Sequence, residues 1–208
     1  MKGVGRQYFV LILFLPLFFS CRSRQELVRG GEKGIVLTYT GYTASFNPKT
    51  KLPNWIAYEL TDDEVKGTVR RNNNYYQDPN LKEPQASNDD YRNSIWDRGH
   101  MAPAGDMKWS KQAMLESCYF TNICPQNRNL NGGDWKSLED KCRIWANAYG
   151  SIQIVCGPIV GEMKYGTLGD NKVVIPDAFF KVILAKSVDK YEGIGFVFEN
   201  KAGHRNLS

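Results

Sequence analysis

Only one stretch of this 208-residue sequence sustains the periodicity of a long amphipathic helix, and strand-like segments lie on both sides of it. Trp135, Leu138, Cys142, Trp145 and Tyr149 recur in alternating steps of three and four, which puts them on one buried face. Gly133 or Asp134 can cap its start, and Gly150 suits a left-handed stop. Ahead of it, residues 35–46 alternate in part as one or two strands, and residues 55–60 read as another. After it, 152–160, 172–185 and 192–199 are rich in Ile, Val and Phe between Gly and Pro. Strands around a single strong helix predict one α+β domain.

The segments between these elements are polar. Residues 61–93 read as a long loop, and loops of that size in a compact domain are functional or disordered. Within it, Arg70-Arg71 followed by Tyr75 and Tyr76 offers either phosphate and base contacts or a solvated charged surface. Residues 94–101 read as a short strand, 109–116 as a short helix and 118–123 as a strand. Residues 125–133 read as a polar loop without regular structure.

Asp97-Arg98-Gly99-His100 concentrates an acid, a guanidinium and an imidazole in four positions. The only other histidine is His204, close to the C-terminus, so His100 is the imidazole available as a neutral-pH base in the folded body. A solvated surface turn can carry the same residues. Glu139 and Arg143 lie four apart beside the helix's buried stripe, the ordinary spacing of a surface ion pair. Asn131 stands just ahead of that helix, with Gly132 and Gly133 letting the chain approach something closely.

Residues 1–20 read as an export signal: Lys2 and Arg6 precede a twelve-residue apolar run, too short to cross a bilayer as a helix. Ser20-Cys21 resembles a bacterial lipoprotein cleavage site, although Phe18 and Phe19 depart from the usual pattern. The expectation is a lipidated Cys21, a polar tether over 21–33 and an exported protein anchored at the outer membrane. An ordinary signal peptide would instead release a periplasmic or extracellular protein. The net charge of +5, two units of it from Lys2 and Arg6, is too mild to identify a polyanionic partner. Cys118, Cys124, Cys142 and Cys156 can form two disulfides in an exported protein, or serve as small buried residues. No close Cys-x-x-Cys pair suggests zinc.

Asp97-Arg98-Gly99-His100-Met101-Ala102-Pro103 resembles the signature of the DNA/RNA non-specific endonucleases, a ββα-metal (His-Me finger) family. The likeness continues through Thr121-Asn122-Ile123-Cys124-Pro125-Gln126, Leu130-Asn131-x-Gly133-x-Trp135, Leu138-Glu139 and Arg143. Upstream it includes Arg71-x-x-x-Tyr75-x-x-Asp78-Pro79, Phe46-Asn47 and Pro53-Asn54-Trp55; downstream, Cys156-Gly157-Pro158 and Ile175-Pro176-Asp177-Ala178-Phe179. Asn131 falls 31 residues and Glu139 39 residues after His100, as expected for that family. The resemblance runs from about Tyr39 to Phe198. It departs at Tyr75, where the family more often has Phe, and at the C-terminus, where members generally continue further.

The resemblance implies an α+β fold with a mixed or antiparallel central sheet and a ββα-metal motif. The domain would span 34–208, cut short at its end. It implies metal-dependent hydrolysis of DNA and RNA to 5′-phosphate ends without sequence or sugar preference. His100 would be the general base, and Asn131 would bind one Mg²⁺ (or Mn²⁺) per site. Glu139 would orient the ion's waters, Arg71 and Arg143 would hold the phosphate, and Arg98 would either add to this or be structural. Asp97 would hold the turn or fix Arg98, and Asn122 would support the loop. Pairing into a homodimer is left open. A rival reading is an exported lipoprotein that binds nucleic acid without cutting it; another is a thiol enzyme built on Cys124 or Cys156.

Overall fold

The computed structural model describes residues 34–187 and 190–202, so the expected signal segment, Cys21, the tether and His204 lie outside the described residues. The strands in chain order are β1 (Ile35–Thr38), β2 (Thr43–Asn47), β3 (Leu52–Thr61), β4 (Trp96–His100), β5 (Ile123–Asn127), β6 (Ser151–Ile159), β7 (Thr167–Leu168), β8 (Val173–Val174), β9 (Ala178–Lys186) and β10 (Tyr191–Glu199). Six of them form an antiparallel sheet in the order β1-β2-β3-β6-β9-β10. Two further ribbons are β4-β5 and β7-β8. The helices are α1 (Asp62–Val65), α2 (Lys111–Ser117), α3 (Arg128–Leu130) and α4 (Lys136–Tyr149).

The helix α4 buries Leu138, Cys142 and Ala146 against the sheet side that carries Ile56, Ile154, Cys156 and Ile183. Full burial of one such aliphatic side chain contributes roughly 1.5–3 kcal/mol. Its stripe stops short of the expected length: Tyr149 is 39% exposed, and its hydroxyl donates to Glu192 at 2.7 Å. Gly150 ends the helix at φ +80°, a conformation that favours a residue without Cβ.

Residues 125–133, expected to lack regular structure, are largely ordered into elements. β5 pairs Asp97 with Gln126 and Arg98 with Pro125. Proline is tolerated there because a two-stranded ribbon leaves each strand an outer edge. Asn200 supplies what local propensity does not: its side chain accepts from the Asn127 N–H at 2.7 Å and donates to the Pro125 carbonyl at 3.1 Å. Asn127 caps α3, accepting from the Asn129 and Leu130 N–H groups at 3.0 and 3.4 Å. A wide turn over Asn131–Trp135 joins α3 to α4, so the helical path starts ahead of the expected Gly133 or Asp134 cap.

Other boundaries shift for local reasons. Residues 120–122 form a 3₁₀ turn before β5 rather than part of a strand. The long loop begins with α1, closed by a capping box in which the Thr61 hydroxyl accepts from the Glu64 N–H and the Glu64 carboxylate from the Thr61 N–H. The expected strand over 172–185 is split into β8 and β9. All four cysteines are buried free thiols, so the two-disulfide alternative does not hold.

Candidate active site

Alternation along β4 sends Trp96, Arg98 and His100 to the same side, and all three line one cleft of about 940 Å³. Arg71, Asp97, Asn131, Glu139 and Arg143 line it too, as does Tyr75, whereas Arg70 and Tyr76 are not among its lining residues. Asn122 lies behind it, fully buried. Gly99 makes this packing possible: a Cβ there would come 2.2 Å from Oε1 of buried Gln126. Gly132 and Gly133 have no such neighbour, contrary to the expected close approach; instead Gly133 takes a non-helical φ −109°, ψ −110° inside the wide turn.

The backbone around His100 is fixed from several directions. Its carbonyl accepts from the Trp135 indole N–H at 3.2 Å. The Asn122 amide accepts from the Ala102 N–H at 2.8 Å and donates to the Ala102 and Ser117 carbonyls at 2.9 and 2.7 Å. The ring itself is only 6% exposed, and its Nε2 has no hydrogen-bond partner among the described residues. Burial, helped by the Arg71 charge, pushes its pKa down from 6.5 to about 3. At neutral pH it is therefore an uncharged imidazole with a free ring nitrogen. An incoming phosphate would offset Arg71 and raise its basicity.

Of the two roles expected for Asp97, holding the turn or fixing Arg98, its carboxylate does not take the second. Its carboxylate accepts from Arg128 Nε and from Asn131 Nδ2, each at 3.1 Å, and so ties β4 to the start of the helical segment. Arg98 instead lies over the rings of Tyr91 and Tyr75, 5.0 and 5.4 Å from their centroids, and donates to the Asn88 carbonyl at 3.1 Å. Tyr75 also faces His100, with ring centroids 5.5 Å apart. Arg71 is exposed at the cleft edge.

Glu139 and Arg143 do not form the surface pair that their spacing suggests. Arg143 donates to Asp106 at 2.6 Å and also to Asp140. Asp106 is fully buried and accepts a second bond, 2.9 Å, from the Tyr58 hydroxyl. Burial raises the Asp106 carboxyl above its ordinary range, with Arg143 opposing that shift. Glu139 is half-buried, and burial lifts its pKa from 4.5 to about 7, against the pull of Lys181 and Arg143.

Lys181 and Asp106 were not singled out from the sequence. Lys181 is 0% exposed, with its Nζ 4.5 Å from the centroid of the Trp135 ring and without a hydrogen-bond partner among the described residues. The sequence did carry a sign of this, since Lys181 shares the inward parity of Phe179 and Ile183 on β9.

A Glu139→Gln variant should be more stable than wild type at pH 8 and lose that advantage near pH 4. The folded pKa lies above the ordinary 4.5, so ionisation opposes folding once pH passes 4.5, and fully so above about 7. Screening in a half-exposed site reduces the gain to about 1–2 kcal/mol. Urea midpoints at the two pH values measure it.

The profile of the DNA/RNA non-specific endonucleases matches residues 24–208. The chain is 36% identical over 159 residues to Nuclease EXOG, mitochondrial, of Danio rerio, which covers 71% of this chain and 46% of the relative. It is 37% identical over 161 residues to Nuclease 1, mitochondrial, of Schizosaccharomyces pombe, covering 70% and 50%. Endonuclease G, mitochondrial, of Homo sapiens is 30% identical over 175 residues, covering 78% and 59%. The chain thus spans about half the length of the curated relatives it matches. The crystal structure of the EndoG/EndoGI complex superposes with a TM-score of 0.75 at 29% identity, over 83% of this chain and 77% of that one.

These relatives correct the expected localisation. Their names place them in mitochondria, which overturns the reading of an exported, outer-membrane lipoprotein drawn from residues 1–21. They agree with the antiparallel sheet and with β4, β5 and α4 as a ββα unit. With the profile spanning nearly all of the sequence, the chain belongs to the DNA/RNA non-specific endonuclease family.

Proposed function

We propose that this chain hydrolyses phosphodiester bonds of DNA and RNA at internal positions, leaving 5′-phosphate ends. The observation that carries the reading is the convergence of His100, Asn131, Glu139 and three arginines on one cleft. Arg71, Arg98 and Arg143 provide guanidinium groups suited to phosphate oxygens. Asp106 and Asp140 orient Arg143, and the two tyrosines orient Arg98. His100 takes the proton from the attacking water at its unpartnered ring nitrogen. Contacts to phosphate alone distinguish neither base sequence nor sugar.

The residues fit a hard divalent cation. Asn131 uses its amide nitrogen on Asp97, which leaves the amide oxygen as an acceptor for Mg²⁺ or Mn²⁺. Glu139 would orient waters around it. A bound ion would polarise the phosphoryl group and neutralise charge developing on the leaving oxygen. Asn131→Ala should weaken Mn²⁺ binding at least tenfold, read by electron paramagnetic resonance without substrate. Unchanged binding would exclude Asn131 as the ligand.

The function is tested with supercoiled plasmid and structured RNA, with Mg²⁺ and with chelator. The reading requires cleavage of both only with the ion, and ends that a ligase accepts without phosphorylation. Binding without cleavage under all conditions would favour the non-cutting alternative.

A further inference from the structure

The strand face that presents His100 carries a third side chain with no part in phosphate chemistry. Trp96 is half-buried, lines the same cleft and meets Tyr165 edge-on, with ring centroids 5.2 Å apart and planes at 63°. Tyr165 is 37% exposed. Trp96 packs partly against the core, yet it also lines a cleft that carries arginines, and Tyr165 beside it stays partly exposed.

Both rings are held in advance. The Ser94 hydroxyl accepts from the Trp96 N–H at 3.3 Å and donates to the Trp96 carbonyl at 3.2 Å, and the strand register pairs Trp96 with Asn127. The loop before Tyr165 is clamped by Asp177, whose carboxylate accepts four backbone N–H bonds, from Gly161, Glu162, Met163 and Lys164, at 2.8–3.1 Å. Just past Tyr165, Gly166 donates to the Met163 carbonyl and accepts from the Ile175 N–H, each at 3.0 Å. Rings fixed this way lose little freedom when a flat partner settles on them.

Four residue steps along the strand lead from Trp96 to His100, roughly 13 Å along the backbone. That is too far for the nucleotide being cut and suits a neighbour on the same strand, with Arg98 between them. Every base presents a π-face, so an aromatic contact holds a strand without reading its sequence. In a duplex those faces are already stacked on adjoining base pairs.

Resting on the nuclease reading above, we propose that Trp96, braced by Tyr165, stacks an unpaired nucleobase beside the cleaved linkage. The test uses a His100→Ala background with chelator present, so that binding is read without cutting. Two fluorescent probes of equal length are compared by anisotropy: oligothymidylate, and the same sugar–phosphate backbone with every base removed. Adding Trp96→Ala should weaken oligothymidylate binding about tenfold and leave the abasic strand within twofold; Trp96→Phe should restore most of the loss. Equal losses on both probes, or no loss on either, would overturn the stacking shelf while leaving the nuclease reading intact. Failure of the His100→Ala chain to bind either probe would remove both.

Discussion

His100→Ala is expected to lower plasmid cleavage by about 10²–10⁴-fold while the chain remains folded. The imidazole has a buried, unpartnered Nε2 in the cleft, and its pKa of about 3 keeps it uncharged across the neutral range. The substitution also has a signature that a merely structural histidine on the surface would lack. Because the folded pKa lies below the ordinary 6.5, the unfolded chain binds a proton first as pH falls. Wild type should therefore lose stability progressively from about pH 6.5 toward pH 3, by up to about 4 kcal/mol. His100→Ala removes that slope, so the two proteins converge, or cross, in acid. Denaturation midpoints at pH 4.5 and 7.5 measure the difference. Near-full cleavage by the variant would sink the assignment of the base.

The second large effect is expected at Asp106, away from the nucleophile. Its carboxylate is wholly buried and holds both Arg143 and the Tyr58 hydroxyl. Asp106→Ala leaves Arg143 and Lys181 with less compensating charge in a region of low dielectric, and removing one partner of a buried pair costs about 3–5 kcal/mol. For a domain of this size that is a fall in Tm of roughly 10 °C. Cleavage at a temperature where the variant is still folded should drop at least tenfold, because Arg143 keeps only its Asp140 contact. Adding Arg143→Met should recover part of the lost stability and none of the activity. Calorimetry of the two single variants and the pair separates a positioning role for Asp106 from a scaffold role alone.

The sequence was legible where one short segment decides the outcome. Most of the α4 stripe, the Gly150 stop and the Ile-, Val- and Phe-rich strands that follow it are set by local pattern. It was opaque where a distant residue completes the element. Nothing in Pro125-Gln126-Asn127 announces a strand, because its backbone is satisfied by β4 and by Asn200, 73 residues beyond Asn127. Asp97 looked like Arg98's neighbour and proved to be Asn131's, since adjacent strand residues point to opposite sides. Arg143 lay at the ordinary spacing from Glu139, yet a buried acid 37 residues earlier holds it more strongly than a surface pairing would. The motif residues that meet in the cleft were those the family resemblance implied. Their partners could not be named, because hydrogen-bond geometry across the fold has no counterpart in spacing.

The indole of Trp135 grips His100 only by its backbone carbonyl, while the imidazole ring touches no hydrogen-bonding neighbour on Nε2. Frame and chemistry are thus divided at a single residue. On the proposed function, exchanging the ring should silence the reaction while the backbone bond from Trp135 still holds the ribbon that shapes the cleft, so a spent copy of this protein would still occupy its substrate. Such a copy would act as a decoy: mixed with the active form, it would shield nucleic acid from cutting in proportion to its share of the total.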